Sequence, residues 1–93
     1  MLIQALAAGA TTIVRTCAAV ASGESVLIVT DTEVPREVAD ALAVAVASVG
    51  GTVVTLVMPR PERPGAEPPA LVAAAMARAN VILAPTKIGR AHV

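Results

Sequence analysis

The feature that most constrains this chain is the alternation of short apolar runs with helical patterns. The runs are "VLIV" at 26–29, "TVVTLVM" at 52–58 and "VILAP" at 81–85. The first run is continuously apolar rather than alternating, which is typical of a strand that is covered on both faces. Because a helical pattern precedes each run, the order α-β-α-β-α-β predicts an α/β fold, a Rossmann-like three-layer unit. Its short parallel sheet should have the spatial order 2-1-3, with the first strand in the centre.

Apolar residues three or four positions apart define one face for each helix. In the first helix, expected to end near Ser22 and Gly23, that face comprises Leu2, Leu6, Gly9, Ile13, Cys17 and Val20. Pro35 should lie in the first turn of the second helix, and Gly50-Gly51 should end it. Its buried stripe should be Val34, Val38, Leu42, Val46 and Val49. The third helix should bury Val72, Ala75, Met76 and Ala79.

Composition excludes several functional classes. The 93 residues suit one small domain, seven basic residues balance seven acidic ones, and there is no aromatic residue. A nucleic-acid-binding protein would normally carry a basic stripe and aromatic rings for base stacking. No apolar run is long enough to cross a membrane, and the apolar N-terminus lacks the basic start of a signal peptide. We therefore expect a soluble cytoplasmic protein without nucleic-acid or membrane partners.

Cys17 and the proline-rich segment have a structural interpretation. The single Cys17 cannot form an internal disulfide, and its position on the apolar helical face predicts a small buried side chain rather than a reactive thiol. Five prolines between residues 59 and 69 predict an extended surface segment. In that segment Arg60, Glu62 and Arg63 should be solvated rather than part of a binding site.

Candidate site residues follow two of the predicted strands. Asp31 ends the first strand and Thr86 follows the third, and ligands of open α/β sheets bind beyond the carboxyl ends of the strands. We predict both as substrate-facing, although Asp31 or Thr32 could instead cap the second helix. The first strand is not followed by the Gly-rich turn of dinucleotide-binding proteins. No grouping of residues predicts a catalytic or metal site in this chain.

The chain as a whole resembles a family of metal-dependent enzymes. The resemblance rests on Gly23-Glu24, on "VTD" at 29–31, and on "MPRPERPGAEPP" followed by "VAAAM". With these features, residues 2–86 resemble the N-terminal domain of the aminopeptidase T-like metallopeptidases, a family that includes leucyl aminopeptidases and 2,5-dihydroxypyridine 5,6-dioxygenases. The resemblance implies that residues 1–86 are a non-catalytic N-terminal α/β domain. The alternative is a small stand-alone ligand-binding module that uses Asp31 and Thr86.

The resemblance also implies partners and a metal that this chain would not hold itself. The metal ligands of the family come from its C-terminal half, so no metal or catalytic residue carries over to this sequence. The whole enzyme would contain a C-terminal catalytic domain, would be a homodimer, and would use a divalent metal, of Zn or Co type for a peptidase or Fe(II) for a dioxygenase.

The last seven residues, "KIGRAHV" at 87–93, depart from the family pattern. The segment "IGRAHV" is also the translation of a common sequencing adapter in one reading frame. We therefore interpret residues 87–93 as a non-native read-through tail, which should not pack against the domain. On this interpretation Arg90 and His92 have no functional role.

Overall fold

A computed structural model describes residues 2–60 and 67–85, with side chains from Leu6 onward. The first helix, α1, spans Leu2–Thr12 and continues as one π-helical segment, Ile13–Cys17. The remaining elements alternate as predicted: β1 Ser25–Asp31, α2 Arg36–Ser48, β2 Thr52–Met58, α3 Ala70–Arg78 and β3 Val81–Leu83. The predicted α/β order is therefore confirmed.

The sheet is parallel and has the predicted order β2-β1-β3. Ser25 lies opposite Thr52 and Asp31 lies opposite Met58, so β1 and β2 pair along their whole length. The contact with β3 is shorter and begins where Val26 lies opposite Val81. The central position of β1 explains its uninterrupted apolar sequence, since all five residues from Val26 to Thr30 are buried.

The helices cover the two faces of the sheet unequally. Helices α1 and α2 pack on the face that carries Val26 and Ile28, and this side holds the larger core: Ala10, Val14, Val20, Ala39, Leu42, Ala45, Val46 and Leu83. Helix α3 packs on the opposite face, where the buried cluster of the described residues consists of Leu27, Val29 and Val72. The structure thus has three layers, but one of the two cores is much smaller.

The end of α1 corrects the sequence interpretation. Cys17 is exposed rather than buried, and so is Gly9, whereas Ala10 and Val14 are buried. The helix ends at Cys17, about a turn before the predicted end. The N–H of Ala18 donates to the carbonyl oxygen of Ile13 at 2.8 Å, a bond that spans five residues and changes the phase of the helix before Cys17.

The predicted features of α2 are mostly confirmed. Its stripe is buried or partly buried from Val34 to Val49, and Gly50 adopts a positive φ of 84° just beyond the helix. Pro35 lies one position earlier than predicted, immediately before the first helical residue, Arg36. The side chain of Pro35 cannot cap the helix, so the first turn of α2 has no side-chain cap from that position.

Strand β2 differs from β1 although its sequence is similarly apolar. None of the seven residues Thr52–Met58 is buried, and Val54 and Val57 are 55% and 63% exposed. Successive side chains of a strand point to opposite faces of the sheet, so Val54 and Val57, three residues apart, project from opposite faces. Both faces of this edge strand are therefore only partly covered by the helices of the domain.

Two parts of the sequence interpretation concern the surface. Arg60 is exposed, as predicted, and its Nε lies 3.7 Å from Glu33 Oε2. This ion pair is solvated and contributes little to stability.

Glu62 and Arg63 lie outside the described residues, as does the tail 87–93 with Arg90 and His92. Among the described residues, no helix has the length and apolarity required to span a bilayer.

Candidate functional site

A cleft of about 530 Å³ opens at the carboxyl end of β1, between the start of α2 and the face of β2. Its polar lining consists of three threonines and three charged residues: Thr30, Thr32, Thr55, Asp31, Arg36 and Asp40. Its apolar walls are Val34, Ala39 and Val57. The cleft is therefore a polar recess with apolar sides at the edge of the sheet where ligands of α/β proteins usually bind.

Thr30 forms the most unusual part of the cleft. Alternate residues of a strand lie on the same face, so Thr30 shares the face of Val26 and Ile28. Its side chain therefore projects toward the α2 side, where the cleft lies. The residue is only 6% exposed, and its Oγ1 has no hydrogen-bond partner within the described part of the chain. A buried hydroxyl without a partner lowers stability by about 1–3 kcal/mol, so such a group calls for an explanation.

Asp31 lies in the cleft but also holds the turn that leads to α2. Its Oδ1 accepts hydrogen bonds from the N–H of Glu33 at 2.8 Å and of Val34 at 3.1 Å. The N–H of Val34 is also 3.2 Å from the carbonyl oxygen of Asp31. This arrangement is the turn that Asp side chains favour, and it occupies one of the two carboxylate oxygens. The alternative that Asp31 or Thr32 caps α2 is wrong, because the N-cap of that helix is Pro35 and no side chain caps it. Asp31 instead holds the turn before the helix, through the N–H groups of Glu33 and Val34.

Arg36 and Asp40 give the cleft a charged rim. They are four residues apart in α2 and therefore lie on the same side of the helix. Both side chains are exposed, and within the described residues no ion pair joins them. The rim can thus offer a guanidinium and a carboxylate to a ligand, while Thr30, Thr32 and Thr55 offer hydroxyl groups.

Of the two residues predicted to face a substrate, Asp31 lines the cleft. From Asp31 the cleft extends toward β2, since Thr55 and Val57 also line it. Thr86 lies outside the described residues. The sequence interpretation missed the contributions of α2 and β2. The four-residue spacing of Arg36 and Asp40 was a signal for α2. The contribution of β2 depends on its register with β1, which sets Val57 opposite Thr30 and Thr55 opposite Ile28.

The divalent metal implied by the family resemblance does not fit the described residues. Within residues 2–60 and 67–85, no group of three or more His, Cys, Asp or Glu side chains lies close enough together to hold a metal ion. In the cleft itself, Asp31 already uses one carboxylate oxygen for two backbone N–H groups. No ligand set for that metal can be assigned in this part of the chain.

Comparisons of the chain with protein-family models, with curated proteins and with solved structures gave no match. The family resemblance is therefore carried only by Gly23-Glu24, by "VTD" at 29–31 and by the segments "MPRPERPGAEPP" and "VAAAM". The fold and the cleft supply the remaining evidence about function.

Proposed function

We propose that residues 1–86 are a non-catalytic α/β domain of a larger metal-dependent enzyme, either an aminopeptidase-type hydrolase or a dioxygenase that cleaves 2,5-dihydroxypyridine. The observation that supports a larger enzyme most strongly is the exposure of the apolar strand β2. Its sequence is apolar on both faces, as in a strand that is covered on both sides, yet none of its residues is buried. Further structure packed against these faces would bury Val54 and Val57 and remove an exposed apolar surface.

The choice of enzyme class comes from the sequence resemblance and not from the cleft. In a peptidase the metal would polarise the peptide carbonyl, and in a dioxygenase Fe(II) would bind oxygen and substrate. The ligands for either metal would be contributed by the C-terminal catalytic domain. The domain described above would then support that catalytic domain through its apolar surface.

The experiment is to recover the reading frame that contains codons 1–60 from the source DNA and follow it beyond Thr86. The encoded protein is then purified with Zn²⁺, Co²⁺ or Fe²⁺ and assayed with leucine p-nitroanilide and with 2,5-dihydroxypyridine. We expect a continuation with clustered histidines and carboxylates, and one of the two activities, lost on chelation. A stop codon at Thr86, or a metal-loaded protein inactive in both assays, would contradict the proposal.

The cleft favours a second candidate function, a stand-alone module that binds a small polar molecule. A ligand carrying hydroxyl or amino groups could supply the missing hydrogen bond to Thr30 and contact the rim formed by Arg36 and Asp40. The test is a ¹⁵N–¹H NMR titration of the chain with L-serine and with glycerol. Shifts confined to the cleft and abolished by Thr30→Val support the module. Equal shifts in wild type and variant, or none, exclude these ligand classes at this site.

A further inference from the structure

The start of α2 leaves backbone N–H groups open beside the cleft. The helix has no side-chain cap at its N-terminus, where Pro35 precedes Arg36. The N–H of Val38 donates to the carbonyl oxygen of Pro35 at 3.0 Å. Within the described residues, no group accepts a hydrogen bond from the N–H of Arg36 or of Glu37. Together with the helix dipole, these two N–H groups make the start of α2 favourable for a negatively charged group.

The charges around the cleft are mixed in sign. Asp31 and Asp40 contribute two carboxylates and Arg36 contributes one guanidinium, while the open start of α2 adds about half a positive charge. A ligand with only negative charge would meet both carboxylates, and a ligand with only positive charge would meet Arg36 and the start of the helix. A ligand that carries one charge of each sign can pair with both kinds of group.

The spacing of the rim charges matches the two charges of an α-amino acid. Arg36 and Asp40 are one helical turn apart, which places their Cβ atoms about 5–6 Å from each other. The carboxylate and the ammonium of an α-amino acid are bonded to the same carbon, so they can contact both side chains at once. The order also agrees with the helix dipole, since Arg36 lies at the start of α2 and Asp40 lies one turn further along.

We infer that the cleft binds a small α-amino acid with a hydroxyl side chain, in its zwitterionic form. The ligand's carboxylate lies against Arg36 at the start of α2, and its ammonium lies against Asp40. Its hydroxyl points inward to Thr30, whose own hydroxyl is buried and has no partner among the described residues. The assignment rests on the binding module proposed above as the second function, and it replaces a general polar ligand with one chemical class.

The first test compares L-serine with three relatives that each lack one group, by ¹⁵N–¹H NMR titration of the full chain. Ethanolamine lacks the carboxylate, 3-hydroxypropanoate lacks the ammonium, and L-alanine lacks the hydroxyl. L-Serine should bind at least about tenfold more tightly than ethanolamine or 3-hydroxypropanoate, because each of these loses a charge-assisted hydrogen bond. L-Alanine should bind about two- to tenfold more weakly than L-serine, since the bond it loses is between neutral groups.

Two variants then assign each charge of the ligand to a residue. Asp40→Asn should weaken L-serine binding about tenfold and leave 3-hydroxypropanoate, which has no ammonium, nearly unchanged. Arg36→Gln should weaken L-serine binding similarly and leave ethanolamine, which has no carboxylate, nearly unchanged. Arg78→Gln, the same change at an exposed position of α3 away from the cleft, is the control and should alter none of these affinities. Circular dichroism checks the folding of each variant.

The outcomes separate the ligand class from the binding module. Equal affinity for L-serine and for either relative with a single charge would overturn the inference. So would L-serine binding that neither Asp40→Asn nor Arg36→Gln weakens. Binding of glycerol without binding of L-serine would overturn the inference and leave the module in place, whereas no binding of any of these molecules would remove the module as well.

Discussion

At the scale of single residues, the candidate site depends on which hydrogen bonds the side chains of Thr30 and Asp31 make. The sequence predicts that β1 ends in a polar segment at the ligand-binding edge, and Asp31 lies there. The sequence does not show that Asp31 Oδ1 accepts hydrogen bonds from two turn N–H groups, nor that the neighbouring Thr30 Oγ1 has no hydrogen-bond partner among the described residues. Hydrogen-bond satisfaction depends on groups brought close by the fold, so it cannot be derived from the order of residues alone.

Replacement of Thr30 by valine should stabilise the protein. The change keeps the branched shape and removes a buried hydroxyl that has no partner among the described residues. We expect the free energy of unfolding to increase by about 1 kcal/mol in chemical denaturation. The matched change Thr55→Val removes an exposed hydroxyl and should alter stability by less than about 0.5 kcal/mol. A clear loss of stability in Thr30→Val would mean that the hydroxyl does make a bond.

Replacement of Asp31 should show that its carboxylate holds the turn before α2. Asp31→Ala removes the acceptor of the Glu33 and Val34 N–H groups and should lower the free energy of unfolding by about 1 kcal/mol. Asp31→Asn retains a side-chain acceptor of similar reach and should lose less. If the alanine variant were as stable as the wild type, Asp31 would be free to serve the cleft instead.

At the scale of elements, the strand and helix order was predictable and the end of α1 was not. Apolar runs at 26–29, 52–58 and 81–85, the second of them interrupted by Thr55, identified the three strands of the described residues, because strands of a parallel sheet that lies between helices carry apolar side chains on both faces. Cys17 was assigned to the wrong face because the prediction assumed regular helical spacing. The π-helical segment Ile13–Cys17 changes that spacing, and the sequence carries no marker for it.

The turn that follows α1 offers a test of backbone strain. Ala19 has a φ of 51°, a left-handed conformation that is unfavourable for a residue with a Cβ atom. Ala19→Gly should therefore raise the free energy of unfolding by about 1 kcal/mol. Ala21→Gly, at an exposed position without positive φ, should be neutral or destabilising. Equal effects of the two substitutions would show that Ala19 is not strained.

Gly50 should be required where α2 ends. Its φ is 84°, and a Cβ atom there would lie 2.6 Å from Ser22 Oγ. Gly50→Ala should lower the free energy of unfolding by more than about 1 kcal/mol, because the left-handed backbone and the contact both oppose the methyl group. The double variant Ser22→Ala/Gly50→Ala relieves only the contact and should recover part of that loss. Full recovery would assign the whole effect to the contact and none to the backbone.

At the scale of the whole molecule, the sheet is covered well on one side and sparsely on the other. The α1–α2 side contains the fully buried Ile28, Leu83, Val14, Val26 and Val46. On the α3 side, Val72 is the helix's buried residue, and Leu71 is 80% exposed. Strand β2 lies at the edge of the sheet and has an exposed valine on each face, Val54 on the α3 side and Val57 on the α1–α2 side. Stability should therefore be distributed unevenly across the domain, since it follows the buried apolar area.

Native-state hydrogen exchange should detect this imbalance directly. The amides of α3 are held by a helix that buries one side chain, whereas those of α2 belong to a helix that buries Ala39, Leu42, Ala45 and Val46. We expect α3 to exchange through a partial opening of lower free energy, while the amides of β1 and α2 exchange only on global unfolding. Val72→Ala should lower the opening free energy of α3 alone, and Val46→Ala should lower the global value. Equal protection of α3 and β1 would contradict this, because it would require α3 to be held by contacts beyond the small core of Leu27, Val29 and Val72.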